Sequence, residues 1–146
     1  MKRVLNITSL TGMLLLAFAI LFNSCKKDEN KITTINGTAY FIAGVSGDLS
    51  NAKVSIYTSL DNWLYNQPIK FVSTTGAGAS VTFSMENVLP GNYYLDVWKD
   101  IDNSSGWTSG DFVGWYGSGG LGSPSLTEFQ ITDGQTLDFD VQMYIY

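Results

Sequence analysis

At 146 residues the chain has room for one ordinary domain and not for two well-packed ones. Charged residues make up 14% and hydrophobic ones 45%, with 15 glycines, which excludes the highly charged, aromatic-poor composition of a disordered chain. The formal charge of −5 sets the surface against nucleic acid and anionic lipid, the absence of histidine removes the commonest general base and metal ligand, and a single cysteine rules out an internal disulfide.

In chain order, Lys2 and Arg3 precede an uncharged apolar run from Met13 to Phe22. That run is shorter than the roughly 20 residues a helix needs to span a bilayer, so residues 1–24 are predicted to be a secretory signal peptide. Phe22-Asn23-Ser24-Cys25 resembles the lipobox of bacterial lipoproteins, with Phe22 standing where Leu is usual. The resemblance implies that Cys25 is lipidated on its thiol and acylated at the new amino terminus, giving enough buried acyl chain for stable anchoring. Residues 25–31 then form a charged tether with no apolar face. Lys27-Asp28-Glu29 within it is similar to the Lys followed by two acidic residues that Bacteroidetes lipoproteins use as a surface-export signal. This resemblance implies an outer-membrane lipoprotein facing the cell exterior, with the periplasmic face as the alternative if the segment is a plain spacer. Loss of Lys2 and Arg3 with the leader brings the mature charge to −7.

From residue 32 to 146 the apolar residues alternate, and a single all-β domain is expected. In Thr136 to Ile145, Leu137, Phe139, Val141, Met143 and Ile145 share one face against Thr136, Asp138, Asp140 and Gln142, a period of two that fits a half-buried strand. Similar runs at Ile35 to Ile42, Ala52 to Ser59, Ile69 to Thr74, Val81 to Met85, Asn92 to Asp100 and Leu126 to Thr132 bring the total to about seven strands, the number of an antiparallel β-sandwich. Asp133-Gly134 predicts a type I′ hairpin and Pro90-Gly91 a type II turn, which together would set the register of two strand pairs.

Gly37-Thr38-Ala39, Ala52 to Tyr57, and Phe83 through Val88-Leu89-Pro90-Gly91-Asn92-Tyr93 to Val97 resemble the carboxypeptidase regulatory-like, transthyretin-like β-sandwich family, with Ala39 in place of the usual Val. The resemblance implies the sandwich fold and a non-catalytic accessory or binding role, the part such modules commonly play in Bacteroidetes lipoproteins.

Three constellations could carry chemistry. In Asp100 to Asp111, oxygen-bearing side chains occupy positions 1, 3, 5, 9 and 12, a spacing suited to Ca²⁺ through Asp100, Asp102, Ser104 and Asp111. Gly106 lies one position late and the twelfth ligand is Asp instead of Glu, so the loop is no EF-hand, and a turn stapled by its own polar side chains is the competing reading. Trp63 and Tyr65 between the second and third runs, and Trp107, Trp115 and Tyr116 in the long loop after the fifth, offer the flat rings and polar tips of a carbohydrate surface, unless they close an end of the core. Gly117-Ser118-Gly119-Gly120-Leu121-Gly122 matches the dinucleotide fingerprint in letters only, because no helix follows it, and is expected to be a loop. Asp138 and Asp140 share a strand face with no pocket signal, so they read as solvated charges and not as a hydrolytic pair. The expected function is a non-enzymatic, lipid-anchored module that binds a ligand, carbohydrate being one candidate and Ca²⁺ a candidate stabiliser. The alternative is an assembly partner of an outer-membrane protein, using sheet edges.

Overall fold

The computed structural model describes residues 31–146; the expected leader, Cys25 and the tether up to Asn30 lie outside the described residues. Lys31–Tyr146 form one compact unit. Its strands are β1 (Thr34–Phe41), β2 (Lys53–Tyr57), β3 (Lys70–Ser73), β4 (Ser80–Glu86), β5 (Gly91–Lys99), β6 (Phe112–Trp115), β7 (Gly117–Ser118), β8 (Ser125–Leu126), β9 (Phe129–Ile131) and β10 (Thr136–Ile145), with a single short helix, α1 (Leu60–Leu64). No described helix is long and apolar enough to cross a membrane.

The strands run in the order β3-β2-β5-β6-β10-β1-β4, with β9 pairing the start of β5. Thr75, just past β3, bridges Thr82 on β4, so the two ends of the path approach each other and the sheet nearly closes. Pairing is antiparallel throughout this path except between β1 and β10, which run parallel from Thr34↔Thr136 to Phe41↔Met143. The expectation of a wholly antiparallel arrangement is corrected at that pair. Local alternation makes a strand, but the choice of neighbour depends on how the whole sheet curls.

Inside the sheet lies a continuous apolar core drawn from nearly every strand, including Ile35, Val54, Ile56, Met85, Leu95, Val97, Val141 and Met143, all at 0–1% exposure. The alternation read in β10 holds through Phe139, Val141 and Met143, which are buried, while Asp138 and Asp140 are exposed as expected. Ile145, placed on the inner face by periodicity, is 46% exposed, because β10 outruns the core there.

Both turn expectations fail, for instructive reasons. Gly91 does not adopt positive φ, and β4 and β5 on either side of Pro90-Gly91 do not pair with each other. Glycine fits closely here: a Cβ would stand 3.0 Å from the Tyr93 hydroxyl, which folds back and donates to the Leu89 carbonyl at 2.8 Å. This local clasp, a side chain securing the chain just upstream of its own strand, resembles the tyrosine corner of β-sandwiches. At Asp133-Gly134 only the glycine has positive φ, 68°, so the mirror-image turn is not formed. The flanking strands part company, β9 to β5 and β10 to β1. Each chain reversal therefore links strands that do not pair, where hairpins were expected.

Three further elements differ from expectation. Phe112–Trp115, expected within a loop, is strand β6, the bridge between β5 and β10. Of the glycine run, Gly117–Ser118 is strand β7, paired with β8, and a Cβ on Gly117 would strike the Ser125 carbonyl, while residues 119–122 form the expected loop at the tip of that hairpin. The expected strand from Leu126 to Thr132 is split between β8 and β9.

Candidate functional site

The strands β2, β5 and β6 are buried on both faces. Ser55, Tyr57, Asp96, Trp98, Val113 and Trp115 point away from the main core, yet each is at most 8% exposed. Leu126 and Tyr144 pack over part of this face, and the rest is covered by a pair of insertions that leave the sheet at opposite ends: residues 58–69, which contain α1 between β2 and β3, and residues 100–111 between β5 and β6. They lean together over the outer face until Trp63 of α1 and Trp107 of the second insertion stand 5.8 Å apart at 72°.

The first insertion folds as a helix because Ser59, in extended conformation, accepts a hydrogen bond from the Asn62 backbone N–H at 3.1 Å, and Asp61 occupies the first turn, where a negative charge is favoured. Asn66 at φ 49° ends it. This one turn of helix was not foreseen, since five residues carry too little periodicity to register against flanking strands.

The second insertion is tied by its carboxylates. Asp111, fully buried, accepts from the Ile101 N–H at 2.8 Å, the Thr108 N–H at 3.0 Å and the Trp98 indole N–H at 3.1 Å. Asp100 accepts from the Ser104 and Ser105 N–H groups, while Asp102 accepts from the Ser104 N–H and the Thr108 hydroxyl. These bonds hold Asn103 and Ser105 at positive φ, 58° and 65°, and the hydrogen bonds at Asp102 lower its pKa. Asp100, Asp102 and Asp111 each bring one oxygen within 4.8 Å of the others, so the triad foreseen for Ca²⁺ is spatially real. Its oxygens are engaged by the loop's own N–H and O–H donors, the arrangement of a stapled turn. Ser104 turns its hydroxyl to the Gly106 carbonyl at 2.9 Å and lies 3.3 Å from the Thr108 hydroxyl.

Between the insertions lies an open trough of about 400 Å³ lined by Trp63, Tyr65, Trp107, Trp98 and, at its floor, Tyr57 and Asp96. Of the five aromatics singled out from sequence, Trp63, Tyr65 and Trp107 meet here, with Tyr65 75% exposed. Trp115 stands behind: it is 5% exposed on β6, stacks between Trp107 at 6.3 Å and Tyr144 at 5.3 Å, and donates its indole N–H to the Ser118 carbonyl. Tyr116, one residue on and so facing the other way, packs against Phe139 and Phe129 at the edge of the main core.

The residue that sequence reasoning did not single out is Asp96. It is 4% exposed, and its carboxylate accepts from the Tyr57 hydroxyl at 3.2 Å to each oxygen and from the Trp63 indole N–H at 3.0 Å. Burial pushes its pKa up from 3.8 to about 7, against the pull of the Tyr57 and Trp63 hydrogen bonds and of the Lys53 charge. Burial, and then the neighbouring Asp96 charge, raise the Tyr57 pKa in turn. The only ion pair among the described residues is Lys99 with Asp48, elsewhere on the surface, so Asp96 has no salt-bridge partner. A signal was present: Tyr94, Asp96 and Trp98 alternate with Tyr93, Leu95 and Val97, so both faces of β5 are rich in large side chains, as befits a strand buried on both sides.

No protein-family model matches the chain, and neither a curated protein nor a solved structure matches it.

Proposed function

We propose that the chain is a lipid-anchored, non-enzymatic binding module of the bacterial outer membrane, built on a transthyretin-like sandwich, whose ligand seat is the trough between the two insertions. One observation carries this reading: two separate insertions bring Trp63, Tyr65 and Trp107 together over a buried carboxylate, in a cavity with room for a monosaccharide-sized group. Flat aromatic walls match the apolar face of such a ligand, and the polar groups at the floor and rim fix its orientation. Asp96 is the single carboxylate lining the trough, which fits recognition better than two-carboxylate hydrolysis. The lipobox-like Phe22 to Cys25 supports anchoring, and the acidic balance supports a surface that avoids nucleic acid.

The test is a screen of oligosaccharides and small amphipathic ligands by quenching of tryptophan fluorescence, repeated with Trp107→Ala and with Leu89→Ala, an exposed side chain outside the trough. A ligand that binds the wild type and Leu89→Ala but not Trp107→Ala supports the trough; binding indifferent to Trp107 refutes it. A protein partner is the second reading, favoured by Phe71, which is 62% exposed on the end strand β3 with the Lys53 ammonium 5.1 Å from its ring centre. Co-purification of one stoichiometric outer-membrane protein that Phe71→Ser releases would favour it.

A further inference from the structure

The Asp96 carboxylate has no salt-bridge partner in the fold, the Lys53 charge acting on it only from beyond ion-pair distance. Its three hydrogen bonds come from neutral donors, the Tyr57 hydroxyl and the Trp63 indole, and a neutral amide oxygen could accept from both. Burying a carboxylate among neutral partners is costly, whereas the same group becomes favourable once a cation reaches it. The surroundings are arranged for that arrival. Trp63 and Trp107, packed edge to face at 72°, line the trough beside Asp96, and the exposed Tyr65 adds further aromatic surface. Aromatic faces carry negative potential and attract cations, most strongly those of Trp. The described unit adds to the same field, with four lysines and no arginine against eleven aspartates and glutamates.

We propose that the trough selects an organic ammonium group, primary or quaternary, seated against the Asp96 carboxylate and the rings of Trp63 and Trp107. The proposal rests on the reading of the trough as the ligand seat and names the chemistry that seat prefers. A neutral sugar would find the stacking surface but leave the buried carboxylate without a direct ion pair; an amino sugar or a choline-type headgroup would use both.

The experiment is calorimetric titration of the full chain with two matched pairs: choline against its uncharged isostere 3,3-dimethylbutan-1-ol, and glucosamine against glucose. At least one cation is expected to bind roughly tenfold or more tightly than its neutral counterpart, as ring faces and a desolvated carboxylate together permit. Asp96→Asn, checked for folding by circular dichroism, is expected to abolish that preference. Preference within the first pair alone identifies a quaternary headgroup as the source, and within the second alone an amino sugar. The proposal is overturned if both members of each pair bind equally, if no cation binds, or if the preference survives in Asp96→Asn. Equal binding that is lost in Trp107→Ala overturns the charge selectivity while the trough stands; equal binding that ignores Trp107→Ala overturns both. If Asp96→Asn does not fold, the wild-type comparison of charged and neutral partners decides alone.

Discussion

The two faces of β5 belong to different kinds of interior. Tyr93, Leu95 and Val97 enter an apolar core assembled from almost every strand, where stability rests on burial and close packing. Tyr57, Asp96, Trp98, Val113 and Trp115, on the outer face of the same stretch of sheet, lie in a smaller, aromatic and partly polar interior closed by two insertions. The first interior does what any β domain requires. The second holds a carboxylate without a salt bridge, two non-glycine residues with positive φ in its covering loop and an open trough, features that stability alone would not select. Where one sheet carries both, the strained backbone and the unpaired buried carboxylate fall on the outer face.

The sharpest way to break this comparison is to disturb each side of β5 separately. Leu95→Ala, at 0% exposure, is expected to lower stability by about 2–5 kcal/mol to the same extent at pH 4 and pH 8, measured by urea unfolding. An equally large, pH-dependent loss would show that the two interiors are not independent.

Asp96 gives the next largest effect. Because its folded pKa of about 7 lies above the ordinary 3.8, the native state holds this proton more tightly than the unfolded chain. Stability from this group is therefore complete below about pH 4, declines as pH rises towards 7, and levels off above it. Asp96→Asn should remove the decline, raising stability by roughly 2–4 kcal/mol at pH 8 with no gain at pH 4. Matching pH profiles of the variant and the wild type would remove the distinction between the faces. Combined with loss of ammonium binding, the gain would identify Asp96 as a residue kept for recognition at the expense of stability.

Smaller effects sharpen the contrast at its margins. Tyr93→Phe removes only the hydroxyl that clasps the Leu89 carbonyl and should cost about 1 kcal/mol in urea unfolding, leaving ligand binding unchanged because it lies on the inner face. Asp102→Ala removes the acceptor of the Ser104 N–H and the Thr108 hydroxyl on an exposed loop and should lower stability less than Tyr93→Phe does, in the same urea unfolding. In the wild type, a thermal melt is expected to be the same in chelator and in millimolar Ca²⁺, since the loop's own donors engage the carboxylates. A Ca²⁺-specific rise lost in Asp102→Ala would instead make Asp100, Asp102 and Asp111 a metal site.

The amino-acid sequence by itself determined that the domain is all-β and which faces of its regular strands turn inward, as at Phe139, Val141 and Met143, because a period of two is a local property of the chain. It also pointed to Trp63, Tyr65 and Trp107 as surface-forming aromatics and to Asp100, Asp102 and Asp111 as neighbours. Only the tertiary structure decided the parallel β1–β10 pairing, the parting of the strands flanking Pro90-Gly91 and Asp133-Gly134, and the burial of Asp96. In an isolated alternating strand Asp96 reads as an outward, solvated charge; it is buried because two insertions from opposite ends of the sheet meet above it. That meeting depends on contacts far apart in the chain, including the 33 residues separating Trp63 from Asp96, and no local pattern encodes them.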